Sequence, residues 1–337
     1  MILEILLQDV KQVLNPSPFE TKDIPALALI EKQLYNSLSD SHGVIGDMCS
    51  HLLQAGGKRI RPLLVLYSGL AFSDGSDDLI LSSVAAELIH MASLVHDDII
   101  DHAPLRRNRA SVNKVWGNHY SVLCGDYLFA KAFGLLSQNK LFLSLNNMVE
   151  AIENMCSGEI LQAENKFNMQ MNLPRYYEQI GKKTAIFLQC CCKSGAAIGG
   201  ASETQIMDMG EYGLNLGFAF QIIDDILDFY GTKEIMGKPT GGEDLRQGII
   251  TLPILLLMKE ENSVHTLNEI ICKQTIETSD LETIKNLFNR YGVLDHCYAI
   301  AASHIGIAQK CLGSLPESSY KGSLYQLAEL LKSSNNL

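Results

Sequence analysis

The sequence predicts an all-α protein, a single large bundle of antiparallel helices around a deep central cavity, with one domain over residues 1–337. Three observations carry that prediction. Stretches 77–101, 122–137, 145–167, 205–230 and 249–260 are long and rich in Ala, Leu, Met and Glu, with apolar residues at three- and four-residue spacing. No region alternates apolar and polar residues for long enough to make a sheet. Breaks at 15–18, 73–78, 103–110, 168–174, 199–203, 231–248 and 313–319 gather Gly, Pro, Asn and Ser, but none is long or polar enough to be an interdomain linker.

Composition narrows the function. Hydrophobic residues make up 47% and charged residues 19%, enough apolar material for a substantial core. Lys and Arg total 27 against 38 Asp and Glu, a net charge of −11, which is the wrong sign for a general phosphate-backbone binder. Nucleic acid is therefore excluded as a partner. The opening MILEILLQDV lacks the basic start and long apolar core of a secretory signal, and the apolar run at 249–258 is interrupted by Thr251 and Pro253. The nine Cys show no paired CxxC spacing, so reduced, mostly buried thiols of a cytoplasmic protein are expected, and no zinc site.

The helix over 77–101 is the most informative element. Ile80, Val84, Leu88, Met91, Val95 and Ile99 form one apolar stripe, and the rest is largely apolar or small, so the helix should be central and buried. Yet His90, Ser93, Asp97 and Asp101 form a polar stripe of their own. Bare ionised Asp in a dry core costs several kcal/mol, so a cavity holding cations is expected in front of it. A second helix repeats the arrangement: Gly213, Gly217, Gln221, Asp224 and Asp228 recur at three- and four-residue spacing, with Asp225 adjacent. Its glycines allow close approach of another helix or of a ligand.

Each helix carries one acidic pentad of the form DDxxD. Asp97, Asp98 and Asp101 make the first; Asp224, Asp225 and Asp228 make the second. First and last Asp lie one turn apart on one face, an oxygen-only set that suits Mg²⁺ completed by water and substrate phosphates. A lone pentad is equally well a solvated helix end. Two of them, on apolar helices without interleaved Lys or Arg, point to metal. Basic residues stand where phosphates would need them: Arg106 and Arg107 after the first pentad, and Lys58, Arg59 and Arg61 behind Gly56-Gly57. Lys182, Lys183 and Lys238 are weaker candidates. Together they predict a site for more than one diphosphate.

These motifs resemble those of the trans-type polyprenyl diphosphate synthases, a family of all-helical prenyltransferases. The likeness runs through GGKRIRP (56–62), ELIHMASLVHDDIIDHAPLRR (87–107), GDYLFAKAF (125–133), GKKTA (181–185), FQIIDDILDF (220–229) and GKPTGGEDLRQGIITLP (237–253). ELIHMASLVHDD and GTKEIMGKP look most like the catalytic large subunit of bacterial heptaprenyl diphosphate synthases. The resemblance implies Mg²⁺, three ions per site with Mn²⁺ as a substitute, held by Asp97, Asp101 and Asp224 with Asp98, Asp225 and Asp228 in support. It implies an allylic diphosphate, farnesyl or geranylgeranyl, on Arg106, Lys183, Thr184, Gln221 and Lys238, and isopentenyl diphosphate on Lys58, Arg61, His90 and Arg107. Asp97, Asp98, Asp101, Arg106, Lys183, Asp224 and Lys238 would carry catalysis.

Two departures stand out: Asn108 replaces the usual Gly after the arginine pair, and Ile249 stands where many relatives carry Lys. Chain length should depend on the wall below Asp97. One helical turn rises about 5.4 Å, close to one isoprene unit. The residues one turn below are Ala92 and Ser93, both small, which predicts a long product; the resemblance implies six to eight units, with seven favoured, for quinone side chains. The floor would lie deeper, on the helix of Phe129 and Phe133, the alternative for those aromatics being plain core. Competing readings are a cyclising terpene synthase, a short-chain farnesyl or geranylgeranyl synthase, and a regulatory subunit. The last should show eroded acidic motifs, and both are intact. The apolar content suits a homodimer or a heterodimer with a small subunit, and membrane contact is expected to be peripheral at most.

Overall fold

The long apolar stretch predicted to be central becomes the axis of the protein. The structure, a computed structural model, describes residues 18–57, 59–107, 109–230 and 241–333, so Lys58, Asn108 and Lys238 lie outside the described residues. The order begins with α1 (Pro18–Ser39), α2 (Gly43–Gln54), α3 (Ile60–Leu70) and α4 (Asp77–Ile100). A hairpin β1 (Leu105–Arg106) and β2 (Arg109–Ala110) follows, then α5 (Val112–Trp116), α6 (Asn118–Gln138), α7 (Phe142–Glu164) and α8 (Leu173–Ile180). A π-helical turn, Gly181–Ala185, joins α8 to α9 (Ile186–Ile198). The chain continues through α10 (Glu203–Tyr230), α11 (Glu243–Arg246), α12 (Leu252–Leu257), α13 (Glu261–Cys272), α14 (Thr278–Tyr291), α15 (Val293–Cys311) and α16 (Ser319–Ser333).

Local chemistry starts and stops α4. Ser76 caps it by accepting from the Leu79 N–H, and Asp77 and Asp78 in the first turn complement the helix dipole. After Asp101 the chain turns left-handed at His102 (φ 51°) and enters the hairpin, an element too short for a period-two pattern to reveal. The predicted helix at 249–260 is shorter than expected. Pro253 sits in the first turn of α12, and Ile249 and Ile250 run into it as buried, non-helical chain.

Helix α4 lies along α6, and α10 packs between α9 and α15. His96 covers Gly125 near the start of α6, whereas Ser82 near the start of α4 meets Ser144 of α7 (Oγ–Oγ 3.2 Å), so α4 and α6 run antiparallel. The α10 glycines serve another helix. A Cβ at Gly213 would stand 2.6 Å from the Leu188 carbonyl, and one at Gly217 would run into the Ala185 Cα. Among the described residues only α4 is long and apolar enough to cross a membrane, which the apolar run at 249–258 is not. Of its most apolar stretch, 67% is buried inside the bundle, as befits a core helix. All nine cysteines are free, six of them buried, and burial pushes the Cys190 and Cys192 thiols up to about 12.

Candidate active site

The first acidic motif divides between two faces of α4. Asp97 is half-buried and Asp101, at the helix end, is exposed. Burial pushes the Asp97 carboxyl up to about 6; Lys183 opposes the shift, while Glu159 and Asp101 add to it. Asp98 is buried on another face, where its Oδ1 accepts from Arg106 Nε (2.9 Å) and Nη2 (2.5 Å). That ion pair fastens the hairpin to the end of α4. Asp98 therefore acts on the site through Arg106, and Arg106 is engaged by a carboxylate as well as placed beside the acids.

The second motif is organised similarly. Asp224 is exposed, whereas Asp225 and Asp228 are buried. Tyr176 Oη donates to Asp225 Oδ2 (2.6 Å), Gln221 Nε2 donates to Oδ1 (3.0 Å), and Thr184 Oγ1 donates to Gln221 Oε1 (2.8 Å). Thr184 and Gln221, both expected at the allylic diphosphate, are thus joined in a chain that orients α10. Burial lifts the Asp225 carboxyl to about 7, against the pull of its two hydrogen bonds. Asp228 accepts from the N–H groups of Glu243 and Asp244 (3.2 and 3.1 Å), anchoring the start of α11. Gly241 lies so close over the end of α10 that a Cβ would meet the Phe229 carbonyl at 2.6 Å.

Lys183 brings the two motifs together. Its Nζ pairs with Glu159 (2.7 Å) and donates to Gln162 (3.2 Å). Burial lowers its pKa, but Glu159, Asp97 and Asp101 outweigh that and raise it. The same ammonium opposes the strong upward shift of half-buried Asp244, which desolvation drives first and Asp228, Asp225 and Asp224 add to. Lys183 rides on the π turn, a geometry frequent at functional sites, while neighbouring Lys182 points outward to Glu178 (2.7 Å).

A separate cationic pocket lies beside this site. The Arg61 guanidinium stands 5.0 Å above the Phe187 ring, and its buried Nε has no hydrogen-bond partner among the described residues. His90 is driven well below the ordinary histidine range by burial first, then by Arg61, Arg107, Arg106 and Arg59. It is a neutral imidazole among four guanidinium groups. Arg107, at φ 52°, packs its Nη1 where a Cβ on Gly57 would lie, 2.9 Å away. A buried cation with an open donor calls for an anion.

Sequence reading missed Tyr176, Glu159, Gln162 and Asp244, because none belongs to a pentad or a basic run. Of the chain-length pair, Ala92 is wholly buried, whereas Ser93 is half-buried and turns its hydroxyl onto the His90 carbonyl (2.9 Å). Phe129 sits edge-on to His96 (5.8 Å) and stacks on Phe133 (6.4 Å), both on α6.

A pH prediction follows from the raised carboxyls. Folded pKa values near 6 (Asp97) and 7 (Asp225) exceed the unfolded 3.8, so the folded chain holds extra protons in between and loses stability as pH rises through them. His90 and His304 are lowered and act oppositely, but only below about pH 6.5, where an unfolded histidine protonates. The melting temperature in chelator should therefore fall between about pH 6.5 and 8, and fall less in Asp225→Asn. A flat or rising curve contradicts the assignment.

Two acid-bearing helices around one lysine, with an arginine pocket alongside, define an all-helical transferase of the isoprenyl diphosphate synthase class. The chain belongs to the polyprenyl synthetase family, whose model matches residues 42–288. It is 37% identical over 305 residues to heptaprenyl diphosphate synthase component 2 of Geobacillus stearothermophilus, covering 90% of this chain and 93% of that protein. Among solved structures it matches a decaprenyl diphosphate synthase from Rhodobacter capsulatus with a TM-score of 0.85 and 31% identity, covering 98% of each chain. A geranylgeranyl pyrophosphate synthetase from Pyrococcus horikoshii matches with a TM-score of 0.84 and 30% identity, covering 98% of this chain and 99% of that one. Fold similarity thus spans makers of short and long products.

Proposed function

We propose that the chain is a long-chain all-trans polyprenyl diphosphate synthase, extending farnesyl or geranylgeranyl diphosphate with isopentenyl units to six to eight units in all. The observation that carries this reading is the pairing of two sites: acids from two helices around Lys183, and a cationic pocket with an unpartnered buried Arg61 nitrogen. One diphosphate fits each.

The donor chemistry suits Mg²⁺, while among the described residues no three such side chains are yet gathered closely enough to hold an ion, so they would draw together around the metal and the diphosphate. Asp97, Asp101 and Asp224 offer carboxylate oxygens only, and the Asp97 carboxyl stays raised by burial, Glu159 and Asp101 although Lys183 and Arg106 pull against the shift. When bound there, Mg²⁺ would neutralise charge building on the allylic diphosphate as its C–O bond breaks. Lys183 adds a fixed cation to the same oxygens, and Asp225, held by Tyr176 and Gln221, keeps Asp224 turned to the site. Arg61 and Arg107 hold the second diphosphate, and neutral His90 contributes a hydrogen bond without a charge. The isopentenyl double bond then closes the new C–C bond, and the proton it sheds passes to the departing diphosphate. Apolar helix faces exclude the water that would quench the allylic cation.

Purified chain incubated with farnesyl diphosphate, labelled isopentenyl diphosphate and Mg²⁺ tests the reading. A product ladder ending at six to eight units is the expected result; products of four units or fewer would contradict the chain length. The relative from Geobacillus stearothermophilus is named as component 2, which supports a second component for this chain as well. In that case the chain binds both diphosphates but forms product only when the partner is added.

A further inference from the structure

One strong ion-pair cluster is left unused by the reaction. Arg59 sits inside the GGKRIRP loop as the residue preceding α3, in the left-handed region at φ 53°, which a residue with a Cβ adopts rarely. Its side chain is 3% exposed. Nε and Nη2 donate to Glu31 of α1 (2.6 and 3.2 Å), and Nη1 donates to Glu87 of α4 (2.6 Å). Glu87 is 2% exposed and lies three residues before His90, on the same face of α4. Arg61 follows two residues after Arg59. The space between Arg59 and Arg107 exists only because residue 57 has no Cβ: one placed there would stand 2.6 Å from Arg59 Nη1 and 2.9 Å from Arg107 Nη1.

Three of the five guanidinium donors are thus committed to carboxylates, and the group is closed to solvent. It is built to hold the loop, not to receive a ligand. We propose that Arg59 is a positioning residue: clamped between Glu31 and Glu87, it fixes Arg61 against His90 and Arg107 and makes the N-terminal helix α1 part of the isopentenyl diphosphate pocket. This rests on the reading of that pocket given above.

The clamp makes a prediction of sign. Glu87→Gln and Glu31→Gln each delete a negative charge near an anion site. Acting through the field alone, either change would tighten binding of isopentenyl diphosphate. Acting through position, either weakens it. Calorimetric titration of the full chain with isopentenyl diphosphate is expected to show Kd raised about tenfold in Glu87→Gln, with a smaller rise in Glu31→Gln, because the Glu31 carboxylate is itself half-exposed. Arg59→Lys keeps the charge but loses the fork and should match Glu87→Gln, while affinity for farnesyl diphosphate changes less than about twofold. Unchanged or tighter binding in the two glutamate variants overturns the clamp. Should Glu87→Gln fail to fold by circular dichroism, Glu31→Gln decides by the same sign. Wild-type chain that takes up no isopentenyl diphosphate overturns the pocket reading and the clamp with it, a result distinct from normal uptake with unaffected variants.

Discussion

Asp97→Ala is expected to lower kcat/KM by at least about 10³-fold in saturating Mg²⁺ while leaving the fold intact. The carboxylate belongs to the pair that faces Lys183; its companion Asp101 is exposed at the helix end and Asp98 is turned to Arg106, so neither takes its place. Stability should move the other way. An Asp held near 6 by burial, Glu159 and Asp101 is ionised at neutral pH against its surroundings, so its removal relieves repulsion in the metal-free chain. Thermal melts in chelator at pH 7.5 should show Asp97→Ala unfolding no lower than wild type. Wild-type turnover, or a melting temperature several degrees lower, would refute the role given to this residue.

Ser93→Phe is expected to shorten the product to about four isoprene units with turnover retained, since it places a ring one turn, about 5.4 Å, below Asp97. Ser93 shares the stripe of His90 and Asp97 and is only half-buried, so its side chain borders open space. Ala92→Phe, at the other small residue of the wall, has a different expectation. Ala92 is wholly buried, and forcing a ring into packed core costs about 1–3 kcal/mol, so loss of stability should dominate. Chromatography of the dephosphorylated products, with melting curves of both variants, separates the two outcomes. An unchanged ladder from Ser93→Phe would remove this wall from the account of chain length.

The helical architecture was legible because apolar residues at three- and four-residue spacing leave little choice of secondary structure. The pentads were legible because two acidic clusters on apolar helices have few physical excuses. Finer assignments within them were not. Asp97 and Asp98 are adjacent in sequence, yet one faces the site and the other holds Arg106, because a 100° step separates them on the helix. Tyr176 and Asp244 carry no local pattern at all; only the packing of α8 and the entry to α11 against α10 brings them to the acids. Arg59 was legible as a basic residue, but not as a buried one.

The π turn at Gly181–Ala185 has a mechanical consequence. One added residue advances the angular phase of a helix by about 100°, so the turn works as a clutch between α8 and α9. On one side α8 keeps Tyr176 aimed at Asp225; on the other α9 keeps Phe187, Cys190 and Cys191 in the core. The two helices can each hold their own best orientation although they form one continuous rod. Deleting Lys182 would lock the clutch and force a choice between the two faces, either swinging Lys183 away from the acids or rotating the cysteine row out of the core.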